Sequence, residues 1–351
     1  MAGRLMEGIA KEWLLVGSLA GLFLTSLLQR RFPTYTATDF HVVYILFVFL
    51  VIIRGLEESR VLKRIAARLE GGRGVAVKMV FLTAVLSMFV TNDVALLTVV
   101  PLTLALNVER KHILVILETL AANAASALTP FGNPQNIFIF YHYHVHPVAF
   151  VRAILPFSLL FVGIILLFAA RERGETAREY PPARVKVAPK GWIYVALFVV
   201  FIVAVLKFAP LALGIVPLAY ALVADRRSLR IDYPLLITFL AFFGFTDNLV
   251  HLFHFDLHTQ IRTFLYAALG SQVISNVPSA LLFADFTRHW RALLWGVSVG
   301  GFGNLVGSLA SLIAYRLYKA KTGETRSFLV ALHLYGYAAF FAGCLFYFIL
   351  R

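Results

Sequence analysis

The sequence predicts an all-α polytopic membrane protein with inverted repeats, each containing a re-entrant helical hairpin and a broken transmembrane helix. Of its 351 residues, 60% are hydrophobic and 14% are charged, whereas about a quarter of the residues in soluble domains are charged. Two apolar spans are interrupted by polar islands, at residues 91–93 and 129–136. Because each unpaired backbone group costs several kcal/mol in lipid, these breaks predict a binding site.

The basic residues indicate the orientation of the chain. The formal net charge is +14, which in a soluble protein would suggest nucleic-acid binding. Here 24 of the 32 Lys and Arg residues fall in segments between apolar spans, which is typical of cytoplasmic loops. We therefore expect a lipid bilayer as partner, no nucleic acid, and a cytoplasmic N-terminus. The segments assigned to the cytoplasm are residues 1–12, 54–78, 109–112, 171–190, 225–230 and 316–326.

The first half is predicted to cover residues 1–170. The segment 57–69 has apolar residues at helical spacing opposite a basic face, which predicts an interfacial amphipathic helix. A hairpin is predicted over about 75–107, because each of its arms is too short to cross a bilayer alone. A broken helix is predicted over about 113–141. The remaining helices of this half are expected at roughly 12–29, 40–56 and 148–170.

The polar stretch 171–190 is predicted to be a cytoplasmic linker, and the second, inverted half to cover residues 191–351. A second hairpin is expected at about 261–284 and a second broken helix at about 290–316, where glycines interrupt the apolar run. The other helices are predicted at roughly 191–208, 209–224, 233–250 and 327–350.

The halves also match in sequence. Ile274-Ser275-Asn276 follows Val90-Thr91-Asn92 at an offset of 184 residues, and the order of helix, hairpin and broken helix is the same in both halves. The charge pattern places the first hairpin's entrance in the cytoplasm and the second's outside. Inverted repeats of this kind are typical of secondary transporters, which bind solute and coupling ion near the bilayer midplane.

These segments resemble the ion transporter superfamily, in particular arsenite permeases, citrate-transporter-like proteins and one type of sodium–proton antiporter. The resemblance rests on Thr91-Asn92-Asp93, the stretch 128–136, Ser275-Asn276-Val277-Pro278 and the stretch 300–311, and covers about residues 40–350. It implies about ten membrane segments with two re-entrant hairpins. In the dicarboxylate branch, Ser-Asn-Thr tips hold sodium and substrate, whereas the tips of this chain read Thr-Asn-Asp and Ser-Asn-Val.

The candidate site combines hairpin tips with helix breaks. Half-helix N-termini present N–H groups to an anion, and freed carbonyl, hydroxyl and amide oxygens can ligate sodium. Some of the glycines and amides could instead serve helix packing. No other metal and no organic cofactor is expected. The candidate substrate- and ion-binding residues are Thr91, Asn92, Asp93, Thr129, Gly132, Asn133, Asn136, Ser275, Asn276, Gly303, Asn304 and Ser308.

Acidic residues inside membrane spans suggest a proton path. Asp93, Asp247 and Glu118 are the candidates, and an acid within a span is a functional hypothesis by default. Asp93 is also in a position to cap the returning arm of the hairpin. The pairs His142/His146 and His254/His258 are spaced as on a helix, yet nothing brings them together as a metal site.

Our leading hypothesis is a secondary active transporter that moves a small anion or oxyanion-type solute by alternating access, coupled to protons or sodium. One alternative is a sodium–proton antiporter in which Asp93 carries the ion. Another is a non-transporting receptor or channel-like protein. Without GxSxG, HExxH or GxxxxGK[ST] motifs, no enzyme is expected, although docking of a separate ATPase subunit stays open. A prokaryotic inner membrane is the expected location, and a homodimer is an open alternative.

Overall fold

The computed structural model describes residues 13–69, 73–106, 108–172, 185–252 and 257–351. Those residues form helices and connecting turns, with no strand among them. The α-helices are α1 Trp13–Gln29, α2 Ala37–Glu58, α3 Val61–Leu69, α4 Val75–Val90, α5 Asn92–Ala105, α6 Lys111–Ser126, α7 Pro134–His142, α8 Pro147–Ala169, α9 Lys190–Val205, α10 Ile215–Ala224, α11 Tyr233–Leu252, α12 Gln260–Ile274, α13 Asn276–Ala284, α14 Trp290–Gly300, α15 Leu309–Thr322 and α16 Arg326–Leu350.

Four helical segments are long and apolar enough to cross a bilayer, as judged from length and composition: Ala37–Glu58, Pro147–Ala169, Arg226–Leu252 and Arg326–Leu350. Large apolar side chains are exposed on their outer surfaces and on the shorter helices, for example Leu167 at 67% and Phe23 at 68%. Contiguous exposed apolar surface of this kind requires a lipid environment. The predicted fold class, an all-α polytopic membrane protein, is confirmed.

Two helical hairpins turn at equivalent residues. The arms α4 and α5 have 16 and 14 residues, about 24 and 21 Å at 1.5 Å per residue, so neither spans a hydrocarbon core of about 30 Å. The turn between them is Thr91, with φ 75° and ψ 153°. Between α12 and α13 the turn is Ser275, with φ 75° and ψ 159°. Both residues thus adopt a left-handed, extended backbone that non-glycine residues rarely occupy.

Each hairpin is followed by a helix in two pieces. The pieces α6 and α7 are separated by residues 127–133, which we call break 1, and α14 and α15 by residues 301–308, which we call break 2. Prolines 130 and 134 cannot donate a backbone hydrogen bond, and α7 begins at the second of them. Helix α15 continues to Thr322, six residues beyond the predicted end at 316, because Gly323 with φ 72° provides the left-handed C-cap.

Contacts between loops define two faces of the bundle. On one, which we call the basic face, Arg110 contacts Glu172 at 3.0 Å and Lys190 contacts Asp225 at 2.7 Å. On the other, which we call the acidic face, Arg31 contacts Asp247 at 2.9 Å. Burial, together with the carboxylates of Asp39 and Asp247, raises the pKa of the Tyr35 phenol in the loop there.

The two hairpins open at opposite faces. At the base of the first hairpin, the Lys111 ammonium donates to the Leu104 carbonyl at 3.1 Å. This base lies on the same face as Glu172, which follows the C-terminal end of α8. At the base of the second, the Tyr143 hydroxyl donates to the Ala284 carbonyl at 2.8 Å, beside the first turn of α8. Between the halves, α5 packs against α15 and α13 packs against α7, so the returning arm of each hairpin contacts the other half's broken helix.

Two sequence expectations need adjustment. Helix α3 forms as predicted, but Val61, Leu62 and Ala66 are buried against α4 and α5, whereas Ile65 is 41% exposed. The helix therefore packs on the protein with most of the apolar face that the pattern indicated, and Ile65 is the member of that face that stays exposed. The predicted linker 171–190 falls mostly outside the described residues, and its last residues adjoin Ser59, whose carbonyl accepts from the Ala188 N–H at 3.1 Å.

Candidate functional site

A buried amide bridge joins the two halves. The Asn92 amide donates to Asn123 Oδ1 at 3.0 Å, and the Ser308 hydroxyl donates to the same oxygen at 2.9 Å. The Asn123 amide nitrogen donates to the Gly301 carbonyl at 3.1 Å. All these residues are buried. One side chain on α6 therefore ties the first hairpin tip to both ends of break 2.

The first tip leaves one carboxylate oxygen without a partner. Asn92 Oδ1 accepts from the Asp93 N–H at 2.9 Å, which caps the start of α5. Asp93 Oδ1 is shielded from solvent and has no hydrogen-bond donor among the described residues. An unpaired buried carboxylate oxygen is costly, so this position is suited to a proton or a cation.

Break 1 is held to the first hairpin and folded around one amide. The Thr129 hydroxyl donates to the Met88 carbonyl at 2.6 Å. The Asn136 amide nitrogen donates to the carbonyls of Ser126, Ala127 and Thr129 at 3.1, 3.2 and 2.8 Å. A Cβ at Gly132 would clash with the Ser126 carbonyl, so only glycine allows this close turn.

Three amide oxygens in and after break 1 have no hydrogen-bond donor within the part of the chain that the structure describes. They are Asn133 Oδ1, Gln135 Oε1 and Asn136 Oδ1, all shielded from solvent. The orientation of Asn136 follows from chemistry, since its nitrogen faces three carbonyls. For Asn133, the Ser126 hydroxyl already donates to the Asn123 carbonyl at 3.3 Å, so it accepts from the Asn133 nitrogen at 2.7 Å. Amide and carboxylate oxygens are ligands for hard cations, so both break 1 and the first tip carry oxygens of the type that such cations bind.

Break 2 satisfies its own polar groups. Gln272 on α12 donates to the carbonyls of Gly300 and Phe302 at 2.8 and 3.1 Å, and accepts from the Asn304 N–H at 3.1 Å. Gly303 adopts φ 93° against this side chain, which requires glycine. Asn304 uses both ends of its amide: the nitrogen donates to the Gln272 carbonyl at 2.9 Å, and the oxygen accepts from the N–H groups of Val306 and Gly307.

The second tip lies directly on break 2. The Asn276 N–H donates to the Gly307 carbonyl at 3.1 Å. The Ser275 hydroxyl has a single long contact of 3.5 Å, with Asn276 Oδ1, so this buried hydroxyl is available to a ligand. Ser308 caps α15 by accepting from the Ala310 N–H at 3.2 Å.

Helix ends of both kinds meet at the tips and breaks. Helices α5, α7, α13 and α15 begin there, and α4, α6, α12 and α14 end there. Each beginning carries about half a positive charge and free N–H groups, and each end about half a negative charge and free carbonyls. The arrangement can bind an anion and a cation in adjacent positions.

The candidate proton-path acids lie apart. Glu118 is fully buried and accepts from the Thr103 hydroxyl, while its second oxygen has no donor. Asp247 is paired with Arg31 at the acidic face and accepts from the Thr34 N–H at 2.9 Å. No hydrogen bond or ion pair links these acids with each other or with Asp93 in the part of the chain that the structure describes.

The histidines are also dispersed. His142 lies 3.6 Å from Asp285, and His289 contacts the backbone carbonyl of His258 at 2.9 Å. His254 lies outside the described residues. Among those that are described, no group of three His, Cys, Asp or Glu side chains could hold a metal ion.

Sequence reasoning missed two residues that organise the site, Asn123 and Gln272. Both sit inside otherwise apolar helical runs without Pro or Gly next to them, so neither marks a break. The available signal was the polar amide itself, because a polar side chain within a membrane span needs a partner.

A bundle in which two short hairpins and two broken helices meet at a buried amide bridge belongs to the class of polytopic membrane transporters, and comparison with known proteins specifies the family. The chain belongs to the CitMHS citrate transporter family, whose model matches residues 5–300. The resemblance to the ion transporter superfamily is thereby confirmed, and the protein is a transporter and not an enzyme.

Three relatives support this assignment. An uncharacterized transporter of Methanocaldococcus jannaschii is 30% identical over 303 residues, which cover 83% of this chain and 85% of the relative. The inner membrane protein YbiR of Escherichia coli is 35% identical over 315 residues, 80% of each chain. The silicon efflux transporter LSI3 of Oryza sativa subsp. japonica is 30% identical over 166 residues, 43% of this chain and 34% of the relative. An integral membrane location, in the inner membrane of a prokaryote, fits the first two.

Proposed function

We propose that this protein is a secondary active transporter for a small anion or oxyanion-type solute, coupled to sodium or protons, with one site between its two hairpin tips. The observation that carries the proposal is the buried bridge from Asn92 through Asn123 to Ser308. It lies where half-helices from both halves begin and end, so a solute bound there contacts both halves at once.

The bundle's two faces support alternating access. The hairpin bases lie at opposite ends of α8. The ion pairs of the basic face involve the segments 109–112, 171–190 and 225–230, which belong to the Lys- and Arg-rich set expected in the cytoplasm, so we orient this face to the cytoplasm. The first hairpin then enters from the cytoplasm and the second from outside. Two such re-entrant hairpins, related by an inverted repeat, would expose the same site to each side in turn.

The coupling cation is assigned to the first half. Asp93 Oδ1 and the oxygens of Asn133, Gln135 and Asn136 lack donors, and a bound sodium would satisfy several of them. Thr91 and the carbonyls at the ends of α4 and α6 complete the set of hard oxygen ligands. Coupling to protons would use Asp93, with Glu118 and Asp247 as further candidates for a proton path.

The solute is assigned to the second half, near Ser275, Asn276 and Ser308. Hydroxyl and amide groups there, with the starts of α13 and α15, can donate to an oxyanion. The family is described as citrate transporters, and the name of one relative refers to silicon efflux. Small, oxygen-rich solutes of this kind fit hydroxyl and N–H donors.

A cation–proton antiporter is the second candidate, and the donor-free oxygen of Asp93 favours it. In that mechanism Asp93 would bind sodium and protons in turn, and no anion would be needed. The comparisons favour a transporter over the third alternative, a non-transporting receptor or channel-like protein.

Flux in proteoliposomes distinguishes the candidates. Purified protein is reconstituted with an internal pH dye, and labelled citrate or silicate is offered under a sodium gradient, a proton gradient or none. Gradient-dependent uptake of either solute supports the proposal. Sodium-driven proton movement without any solute supports the antiporter, and the absence of gradient-dependent flux under all conditions contradicts both.

A further inference from the structure

A cavity of about 180 Å³ lies along α15 and reaches the second hairpin tip. It is large enough for a small solute with a few water molecules. Its inner end carries the hydroxyl-bearing residues Ser275 and Ser308, and its walls are mainly apolar. Toward its outer end it is lined by Arg316, and the walls include Leu14, Leu309 and Leu312.

Arg316 is placed on the cavity by the extension of α15. Ser308, Leu312 and Arg316 are spaced four residues apart and therefore share one face of the helix. The helix continues to Thr322, so Arg316 lies within it and not in a terminal loop. Eight residues at 1.5 Å each place the Cα of Arg316 about 12 Å from that of Ser308 along the axis.

Among the described residues, the guanidinium of Arg316 has no carboxylate partner and forms no ion pair or hydrogen bond. By contrast, Arg31, Arg54 and Arg110 each contact an acid at 2.7–3.2 Å. An unpaired cation beside a mainly apolar cavity attracts anions, because the low-dielectric walls focus its field.

The Arg316 end of the cavity lies toward the basic face. Leu14 lies in the first turn of α1, whose other end contacts α11 through Gln29 and the Asn248 carbonyl, at 2.7 Å, near the acidic face. The end of α15 leads through residues 323–325 into α16. The far end of α16 returns toward α12, where the Tyr347 hydroxyl contacts the Gln260 carbonyl at 3.5 Å. Both connections place Arg316 on the side assigned to the cytoplasm.

We propose that Arg316 recruits the solute, as an anion, from the cytoplasm into the cavity that ends at Ser275 and Ser308. The inference rests on the proposed function. It adds that the solute enters from the cytoplasmic side and that its anionic form is the one bound. At about 12 Å from the inner end of the cavity and with partial dielectric screening, the charge of Arg316 contributes roughly a factor of ten to anion affinity. The contribution is smaller at high ionic strength.

The test compares Arg316→Gln and Arg316→Lys with the control Lys319→Gln. Lys319 lies on the same helix with its ammonium 6.0 Å from the Tyr315 ring centre, and it does not line the cavity. In inside-out vesicles, where the basic face is outside, we expect Arg316→Gln to raise the KM for citrate roughly tenfold at low salt with little change in kcat. Arg316→Lys should recover most of the affinity, and flux of neutral silicic acid should not change.

A second measurement does not depend on flux. Val306 lines the same cavity and is 40% exposed, so Val306→Cys in a Cys344→Ala background should react with a membrane-impermeant thiol reagent from the basic face. Citrate should slow this labelling, and Arg316→Gln should reduce the protection.

The outcomes separate the two levels of the proposal. If the wild-type protein moves neither citrate nor silicate, the proposed function fails. If it moves citrate and Arg316→Gln has the wild-type KM and protection, the role of Arg316 is wrong while the transporter remains. If only neutral silicic acid is moved, recognition of an anion is wrong.

Discussion

The first and second halves of the chain have similar backbones and different polar chemistry. Between residues 93 and 136, five buried side-chain oxygens have no hydrogen-bond donor, whereas the described residues from 257 to 322 contain none. Those five oxygens belong to Asp93, Glu118, Asn133, Gln135 and Asn136. The turn residues Thr91 and Ser275, in contrast, have the same φ of 75°.

The difference follows from how each break is built. Break 1 and the start of α7 contain Pro130 and Pro134, which carry no N–H, so acceptors outnumber donors. Break 2 contains glycines whose N–H groups donate within the fold, Gly301 to the Val297 carbonyl and Gly307 to the Asn304 side chain. Gln272 bridges its two sides. The comparison teaches that one backbone plan can serve two ligands: the first half offers bare oxygens to a cation, and the second offers hydroxyls and a cavity to an anion.

The largest effect is expected for Asn123→Ala, because this residue belongs to both halves. The change leaves the Asn92 amide and the Gly301 carbonyl without partners, at about 1–3 kcal/mol for each buried group. We expect loss of solute flux together with a lower thermal unfolding temperature, measured in detergent and in proteoliposomes.

Asn248→Ala provides the control for that change. Asn248 is fully buried on α11 and donates to the hydroxyls of Thr25 and Ser26 at 3.2 and 2.9 Å. The Asn248→Ala protein should be destabilised to a similar extent as the Asn123→Ala protein, yet the Asn248→Ala protein that folds should still transport solute. Equal flux losses in the two variants at equal stability would contradict a special role for Asn123.

Asp93→Asn tests the chemical asymmetry of the tips. The amide keeps the size of the side chain and loses its negative charge, so gradient-driven uptake should fall to background while folding is retained. The matched variant is Val277→Asn, at the equivalent position of the second tip, which should keep coupled flux. Coupled flux at the wild-type level in Asp93→Asn would remove this carboxylate from the mechanism.

Substitutions of Asn133 and Asn304 test whether break 1 binds the cation and break 2 has a structural role. Asn133→Ala removes a donor-free oxygen, so we expect the sodium concentration for half-maximal uptake to rise about tenfold, equivalent to about 1.4 kcal/mol. Asn304→Ala removes hydrogen bonds inside break 2, so stability should fall by about 1–2 kcal/mol with sodium dependence unchanged. The measurements are sodium titrations of uptake and thermal unfolding. The reverse pattern would show that the cation lies in the second half.

The sequence was informative where a helix is interrupted. Prolines, glycines and polar islands stand where the structure interrupts its helices, since breaks in lipid need special residue types. The partners that hold the breaks were not predictable in the same way. Asn123 contacts Gly301 and Ser308 across 178 and 185 positions of sequence, and no local pattern encodes such distances.

Residue type alone also did not separate ligand-binding from structural roles. Asn133 and Asn304 occupy similar positions next to glycines, yet the structure leaves one with a bare oxygen and places the other in a turn. The sequence placed Arg316 at the end of the predicted broken helix 290–316 and at the start of a segment assigned to the cytoplasm. The left-handed cap at Gly323 extends α15 and brings Arg316 to the cavity.

The smallest effect concerns the two turn residues. Thr91 and Ser275 hold φ near 75° with ψ near 155°, a region that is essentially restricted to glycine and costs about 1–3 kcal/mol for other residues. Glycine at either position would relieve this strain. Its greater conformational freedom in the unfolded chain would offset part of that gain, by roughly 0.5–1 kcal/mol. Thr91→Gly and Ser275→Gly should therefore each be neutral or more stable by about 1 kcal/mol.

Both substitutions remove a hydroxyl from a tip, so the proposed roles predict different losses of function. Thr91→Gly should weaken sodium dependence and leave the KM for citrate nearly unchanged, whereas Ser275→Gly should raise that KM and leave sodium dependence nearly unchanged. Thr91→Ser and Ser275→Thr keep the hydroxyl and serve as controls. A strained residue retained where glycine would fold better indicates that its side chain acts on a ligand. Unchanged sodium dependence and KM in both glycine variants would assign the two residues to the turn alone.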